Sequence, residues 1–202
     1  MRVVVVDSGV GNIPNAVRGL TRAGAEVTLS ADPEVVAAAD RIVVPGVGAF
    51  PAAMERLLAR GLDVAIREAA KRGVPLLGIC LGHQLLFEAS EEFGETAGLC
   101  LLPGRVVSLP ATVRVPHMGW NALVSRRSDP LLEGLPDDAF MYFVHSFHAQ
   151  PDERDLVATV DVGGTAVCAV ARRGAVCGVQ FHPEKSGAAG SRLLANFLKA
   201  AA

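Results

Sequence analysis

The chain has 202 residues, half of them hydrophobic, with 19 basic and 21 acidic side chains and a formal net charge of −2. That length supports one substantial core and is short for two, so residues 1–202 are expected to form a single domain. With no basic cluster, nucleic acid is excluded as a partner, and no apolar run approaches the ~20 residues of a membrane span.

The first element is a strand, Arg2–Val6, where a secretory leader would carry a charged n-region and a cleavage site. Gly9-Val10-Gly11-Asn12 follows and resembles half of a phosphate loop. Pro14 occupies the third glycine position and no Gly-Lys-Ser/Thr occurs, so nucleotide binding is rejected there. Helical periodicity runs over Ile13–Ala23, then strand Glu26–Leu29, a short helix Pro33–Ala38, strand Arg41–Val44, one long helix Ala52–Lys71 and strand Pro75–Ile79. Runs of Val, Leu and Ile without polar alternation are buried on both faces, which predicts a parallel sheet with helices on either side. Ligands of such sheets bind at the C-terminal strand ends.

Two strand ends carry unusual chemistry. Val43-Val44-Pro45-Gly46-Val47-Gly48 opens into a glycine-rich turn whose backbone N–H groups can approach a substrate. It is either an oxyanion hole, with Val47 and Leu81 as the backbone donors, or an ordinary strand-to-helix loop. Gly46 and Gly48 on either side of Val47 also make a peptide flip inexpensive there. The second end is Gly78-Ile79-Cys80-Leu81-Gly82-His83-Gln84, which runs into the apolar Leu85, Leu86 and Phe87. A cysteine between two glycines at a strand-to-helix turn has the form of a nucleophile elbow, and a helix N-terminus favours the attacking thiolate. The plainer reading of Cys80 is a small buried residue at a strand end.

Short strands with turn signals occupy the second half: Arg105–Val107, Val113–Val115, Ala139–Val144, Leu156–Val160, Thr165–Ala171 and Ala175–Val179. They are expected to be antiparallel, beside or continuing the parallel sheet. A helix, Ala188–Leu198, closes the chain. The four cysteines form neither a Cys-x-x-Cys pair nor a secreted disulfide pattern. A cytoplasmic protein with reduced thiols is expected, and Cys168 and Cys177 are placed roughly opposite one another across the Arg172–Gly174 turn. After the last apolar run comes Val179-Gln180-Phe181-His182-Pro183-Glu184. In extended backbone His182 and Glu184 share a face, so the carboxylate can orient the imidazole that serves Cys80 as base. His-x-Glu alone is a weak signal; with the elbow it makes a nucleophilic triad.

The glycine turn, then Gly-x-Cys-x-Gly-x-Gln, then His-Pro-Glu, in this order over nearly the whole chain, resembles the class I glutamine amidotransferases. Within that family three stretches are similar to the glutaminase subunits of imidazole glycerol phosphate synthase: Pro116-His117-Met118-Gly119-Trp120-Asn121, Tyr142-Phe143-Val144-His145-Ser146 and His182-Pro183-Glu184-Lys185-Ser186. His83 departs from that subfamily, which often carries Met there. The resemblance implies a flavodoxin-like α/β fold with additional antiparallel strands in the second half, and neither metal nor cofactor. It implies that Cys80, His182 and Glu184 hydrolyse L-glutamine. Gln84 and Glu92 would hold its amino-acid end, with Glu91 and Glu95 as alternatives to Glu92. Gly48, His145, Ser146 and Phe147 would form the opposite wall. The implied partner is a (β/α)8-barrel cyclase in a heterodimer, receiving ammonia through a channel. His117, Trp120, Asn121, Tyr142 and Lys185 would face it; Trp120 is the only tryptophan and Lys185 one of three lysines. The competing readings are an amidotransferase serving carbamoyl phosphate, anthranilate or pyridoxal phosphate synthesis, a stand-alone cysteine hydrolase, and a module with a decayed site.

Overall fold

The computed structural model describes residues 2–9 and 13–199; residues 10–12 of the Gly9-Val10-Gly11-Asn12 stretch lie outside them. The first half alternates as the apolar runs require: β1 Arg2–Val6, α1 Ile13–Arg22, β2 Glu26–Ser30, α2 Pro33–Ala37, β3 Ile42–Gly46, α3 Phe50–Ala59, α4 Leu62–Lys71, β4 Leu76–Cys80 and α5 Leu81–Leu85. Local chemistry fixes several of these ends. Asp32 caps α2, its carboxylate accepting from the Glu34 amide at 2.9 Å ahead of a proline first turn. The long helix expected over Ala52–Lys71 is two helices, because Gly61 takes a left-handed conformation (φ +66°) and starts α4 in a new direction.

The second half supplies β5 Ala89–Ser90, β6 Thr96–Ala97, β7 Gly104–Ser108, β8 His117–Ala122, β9 Val124–Ser125, β10 Phe140–His145, β11 Phe147–Pro151, β12 Leu156–Val162, β13 Thr165–Arg173, β14 Val176–Val179 and α6 Gly187–Lys199. The main sheet has eight strands in the order β2-β1-β3-β4-β14-β13-β12-β9. Its first five strands are parallel, and β13, β12 and β9 extend it in antiparallel fashion. A β8–β10 ribbon and a four-stranded sheet, β11-β7-β5-β6, stand beside it. The predicted strand Val113–Val115 is absent: Val113 and Val115 are bends with irregular Arg114 between them, and none of the three pairs with a strand.

β3, β4 and β14 are buried along their whole length, as continuous apolar strands should be. The edge strand β2 is largely exposed, so the both-faces-buried reading fails there. One face of the sheet packs Val5, Leu77 and Val179 against Leu20 of α1, Leu193 and Phe197 of α6, and Phe143 of β10. The other packs Val44 and Leu76 against Val36 of α2, Met54 and Leu57 of α3, and Ile66 of α4. Cys177 belongs to the first cluster and Cys168 to the second, so they lie on opposite faces. Cys177 pairs with Arg172, which corrects the expectation that the two cysteines oppose one another. All four thiols are free. Among the described residues no helix is long and apolar enough to cross a membrane.

This order explains how distant residues meet. β4 lies between β3 and β14, with Gly46 in register with Cys80 and Val179 in register with Ile79. The glycine turn, the cysteine and the segment leading to His182 therefore leave the sheet at one C-terminal edge.

Candidate active site

Cys80 ends β4 and immediately precedes α5, with φ +56° and ψ −110°, a strained conformation for a side-chain-bearing residue. Its glycine neighbours are sterically obligatory. A Cβ on Gly78 would come within 2.6 Å of the Gly82 carbonyl oxygen, and one on Gly82 within 1.7 Å of the Val44 carbonyl oxygen. The elbow thus presses onto β3 through bare backbone. Cys80 is 6% exposed, and its sulfur lies 3.8 Å from the Val144 carbonyl oxygen and 3.8 Å from the Gln180 side-chain nitrogen.

His182 follows β14 and is fixed through its backbone. Its N–H donates to the Tyr142 carbonyl at 2.9 Å, and its own carbonyl accepts from the Ser186 hydroxyl at 2.7 Å. Glu184 reaches it by a different route from the expected extended alternation. Pro183–Lys185 is a 3-10 turn, which folds the carboxylate back so that Oε1 accepts from His182 Nδ1 at 2.8 Å. Both side chains are almost fully buried. Burial disfavours the imidazolium, but the Cys80 sulfur and the Glu184 carboxylate outweigh it, and the imidazole is raised to about 9. An imidazole raised in this way keeps its proton more firmly and can pass it to a leaving group.

These groups border a cavity of about 330 Å³. It is lined by Val47 and Gly48 after β3, by Cys80, Leu81 and Gln84 of the elbow, and by Val144, His145, Ser146 and Phe147 from the β10–β11 segment. Gly48 adopts φ +100°, which an L side chain rarely takes. Gln84 donates to the Phe147 carbonyl at 2.9 Å and to the Gln180 amide oxygen at 3.0 Å. Of the three acidic candidates only Glu92 lines the cavity. Its Oε2 accepts from the Phe50 N–H at the start of α3, at 2.7 Å. Glu91 instead accepts from the Ser108 N–H and Glu95 pairs with Arg105 on the surface.

The sequence reading missed Pro116 and Val144 in the lining, Ser186 behind His182, and Gln180 beside the sulfur. Gln180 carried a signal: it is a fully buried polar residue in an apolar run, and such a residue requires partners.

The β8–β10 ribbon separates the remaining candidates into two sets. Trp120 pairs with Tyr142 across the ribbon, and Met118 with Val144. Trp120 is 52% exposed and meets the Tyr142 ring edge-on at 5.9 Å, while Lys185 Nζ lies 5.4 Å from the centre of the same ring. With Met118, Val115 and Phe140 also exposed, this is an apolar surface beside the cavity wall, of the kind that marks a docking site. His117 and Asn121 were grouped with Trp120, but strand alternation turns them to the other face. They are half-buried there, bonded to each other at 3.0 Å, with His117 packed on Phe143.

His83 is wholly buried, edge-on to Phe87 at 5.2 Å, with Nε2 4.0 Å from the Cys168 sulfur. Burial, then the nearby His145 and His148, hold its imidazole down to about 3. The unfolded chain takes up this proton near the ordinary value of 6.5, whereas the native state refuses it. Stability is therefore full above that value and falls as pH drops toward 3. The contribution is about 1.4 kcal/mol per pH unit. His145, held down to about 4 chiefly by burial, adds a second loss of the same sign. His83→Met, which keeps the packing apolar and removes one titration, is expected to reduce the slope of unfolding free energy against pH by that amount. Urea unfolding at about pH 7, 6 and 5 measures it, and an unchanged slope refutes this account of His83.

The family model for class-I glutamine amidotransferases matches residues 4–201. The chain belongs to the class I glutamine amidotransferase family. Curated relatives named imidazole glycerol phosphate synthase subunit HisH are 49% identical in a Synechococcus species, over 98% of this chain and 93% of the relative, and 48% identical in Moorella thermoacetica, over 96% and 93%. A solved glutamine amidotransferase superposes with a TM-score of 0.77 at 23% identity, covering 97% of both chains; at that identity the likeness is one of fold. The observed parallel sheet with an antiparallel extension agrees with that fold.

Proposed function

We propose that this chain is the glutaminase subunit of an imidazole glycerol phosphate synthase. The observation that carries the reading is a cavity lined by Cys80 and His182, with Glu184 bonded to His182, in a chain about half identical to subunits of that name. L-Glutamine enters with its amino-acid end toward Gln84 and Glu92 and its side-chain amide over Cys80. The thiolate attacks the amide carbon, and the resulting oxyanion is held by the Val47 and Leu81 N–H groups. The carbon–nitrogen bond breaks, His182 gives its proton to the departing nitrogen, and ammonia leaves a glutamyl thioester on Cys80. Neutral His182 then takes a proton from water, whose oxygen attacks the thioester. Glutamate departs and the thiolate–imidazolium pair is restored. Glu184 orients the ring and stabilises its charged form throughout.

Ammonia released to bulk water would be protonated and lost, so an acceptor enzyme belongs over the site. The exposed ribbon face of Met118, Trp120, Phe140 and Tyr142, with Lys185 beside it, suits a cyclase, read from the subfamily resemblance as a (β/α)8 barrel in a heterodimer. The cyclase would convert a phosphoribulosyl substrate to imidazole glycerol phosphate and an aminoimidazole carboxamide ribotide. We place the pair in the cytoplasm.

The exposed Val47 peptide between two glycines is the element a partner can set. The isolated chain is expected to hydrolyse glutamine slowly. Adding the cyclase with its ribulosyl ligand should raise turnover on the order of 10²–10³-fold, the worth of one oxyanion-hole donor. Strong glutaminase activity by the chain alone, indifferent to the cyclase, would instead identify a stand-alone hydrolase or another amidotransferase.

A further inference from the structure

A line of hydrogen bonds runs from the core-facing side of the ribbon to the cavity wall, and its direction can be worked out. His145 Nδ1 lies 2.9 Å from the Phe147 carbonyl oxygen. A carbonyl only accepts, so Nδ1 carries the hydrogen. Burial chiefly, opposed by the Phe147 bond and reinforced by His117, His148 and His182, keeps His145 neutral to about 4. Its Nε2 is therefore a bare acceptor. His117 Nδ1 stands 3.1 Å from it, with the two rings nearly perpendicular, and must donate. Behind it His117 Nε2 meets the Asn121 amide at 3.0 Å, and Asn121 reaches the Asp161 carbonyl at 3.3 Å. Asn121 gives its NH2 group to the Asp161 carbonyl, so its oxygen faces His117 and accepts from Nε2–H; His117 therefore donates through both ring nitrogens, Nε2 to Asn121 and Nδ1 to His145. The Phe147 carbonyl at the end of the line is the one that Gln84 also binds.

We propose that His117 is a positioning residue for the substrate pocket: by donating to His145 it fixes that ring in the Nδ1–H form and so holds the Phe147 carbonyl and Gln84 in place. The proposal rests on the reading of the cavity as a glutamine pocket. His117 touches neither the cavity nor Cys80, so it acts through the wall and not on the reacting atoms.

The experiment uses the assembled enzyme and three chains: wild type, His117→Phe and His117→Asn. Phenylalanine keeps the ring against Phe143 and removes the donor. Asparagine keeps a donor where Nδ1 stands. His117→Phe is expected to raise KM for glutamine about tenfold with kcat little changed, the scale of one lost polar contact. His117→Asn should restore KM. Nitrogen-15 histidine spectra of the chain should show His145 with hydrogen on Nδ1 and a bare Nε2 in wild type and His117→Asn, and a mixture of tautomers in His117→Phe. Equal KM in all three, or equal loss in both variants, overturns the proposal, as does a His145 hydrogen found on Nε2 in wild type. The spectra do not depend on turnover. A wild-type chain without glutaminase activity would refute the glutamine reading, while the tautomer would still report on the His117–His145 bond.

Discussion

Replacing Cys80 with alanine is expected to abolish glutamine-dependent synthesis by the assembled enzyme, a loss on the order of 10⁵–10⁶-fold. Synthesis from added ammonia should remain nearly intact, because the acceptor chemistry belongs to the partner. The reason for the size of the first effect is that no other nucleophile faces the substrate. Among the described residues lining the cavity, Ser146 is the only other hydroxyl or thiol, and it stands between β10 and β11 while His182 serves Cys80. The second effect follows from geometry: Cys80 is a small side chain at the end of a buried strand, and losing its sulfur leaves the β3–β4–β14 frame in place. Parallel steady-state assays with glutamine and with ammonium salt measure both. Loss of the ammonia-dependent rate as well would make Cys80 a structural residue of the interface.

Gly82→Ala is expected to be the most damaging conservative change in the molecule. The new methyl would sit 1.7 Å from the Val44 carbonyl oxygen, well inside contact distance. Val44 cannot retreat, because β3 is held between β1 and β4 and Val44 is in register with Gly78. The clash must push α5 off the sheet or deform the elbow, and a cost above about 4 kcal/mol is expected. That is a large part of the 5–15 kcal/mol that holds a typical domain, equivalent to a fall in Tm of roughly 10 °C or more. Gly73→Ala is the control. Gly73 has φ +80° but open space around it, so it should lose only about 1 kcal/mol to backbone strain. Thermal unfolding of both variants checks this, and equal losses would mean that strain, not close approach, governs the elbow glycines.

The parallel half and the grouping of Cys80, His182 and Glu184 were legible because both are written locally. Val3–Val6, Ile42–Val44 and Leu76–Ile79 are apolar without alternation, and only buried strands of a parallel sheet need that composition. Cys80 was marked by the spacing of Gly78 and Gly82, which the structure explains by backbone contact. What escaped depends on pairing. β8 mixes His, Met, Gly, Trp and Asn, and becomes a strand only because β10 lies opposite it. Val113–Val115 has strand composition but no strand beside it. The division of the ribbon into an exposed Trp120 face and a buried His117 face follows from register, which no motif records. The approach of Glu184 to His182 was foreseen and its route was not, because the 3-10 turn after Pro183 replaces extended backbone. Gln180 was overlooked because its meaning depends on Gln84 and Cys80, both about a hundred residues away in sequence.

The most direct test of the central claim is labelling by a glutamine analogue that carries an electrophile at the side-chain amide position, followed by peptide mass spectrometry. The account predicts one label per chain, on Cys80 alone among the four cysteines, with labelling slowed by glutamine and accelerated by the cyclase with its ligand. Labelling of another cysteine, or labelling of Cys80 that glutamine does not slow, would contradict it.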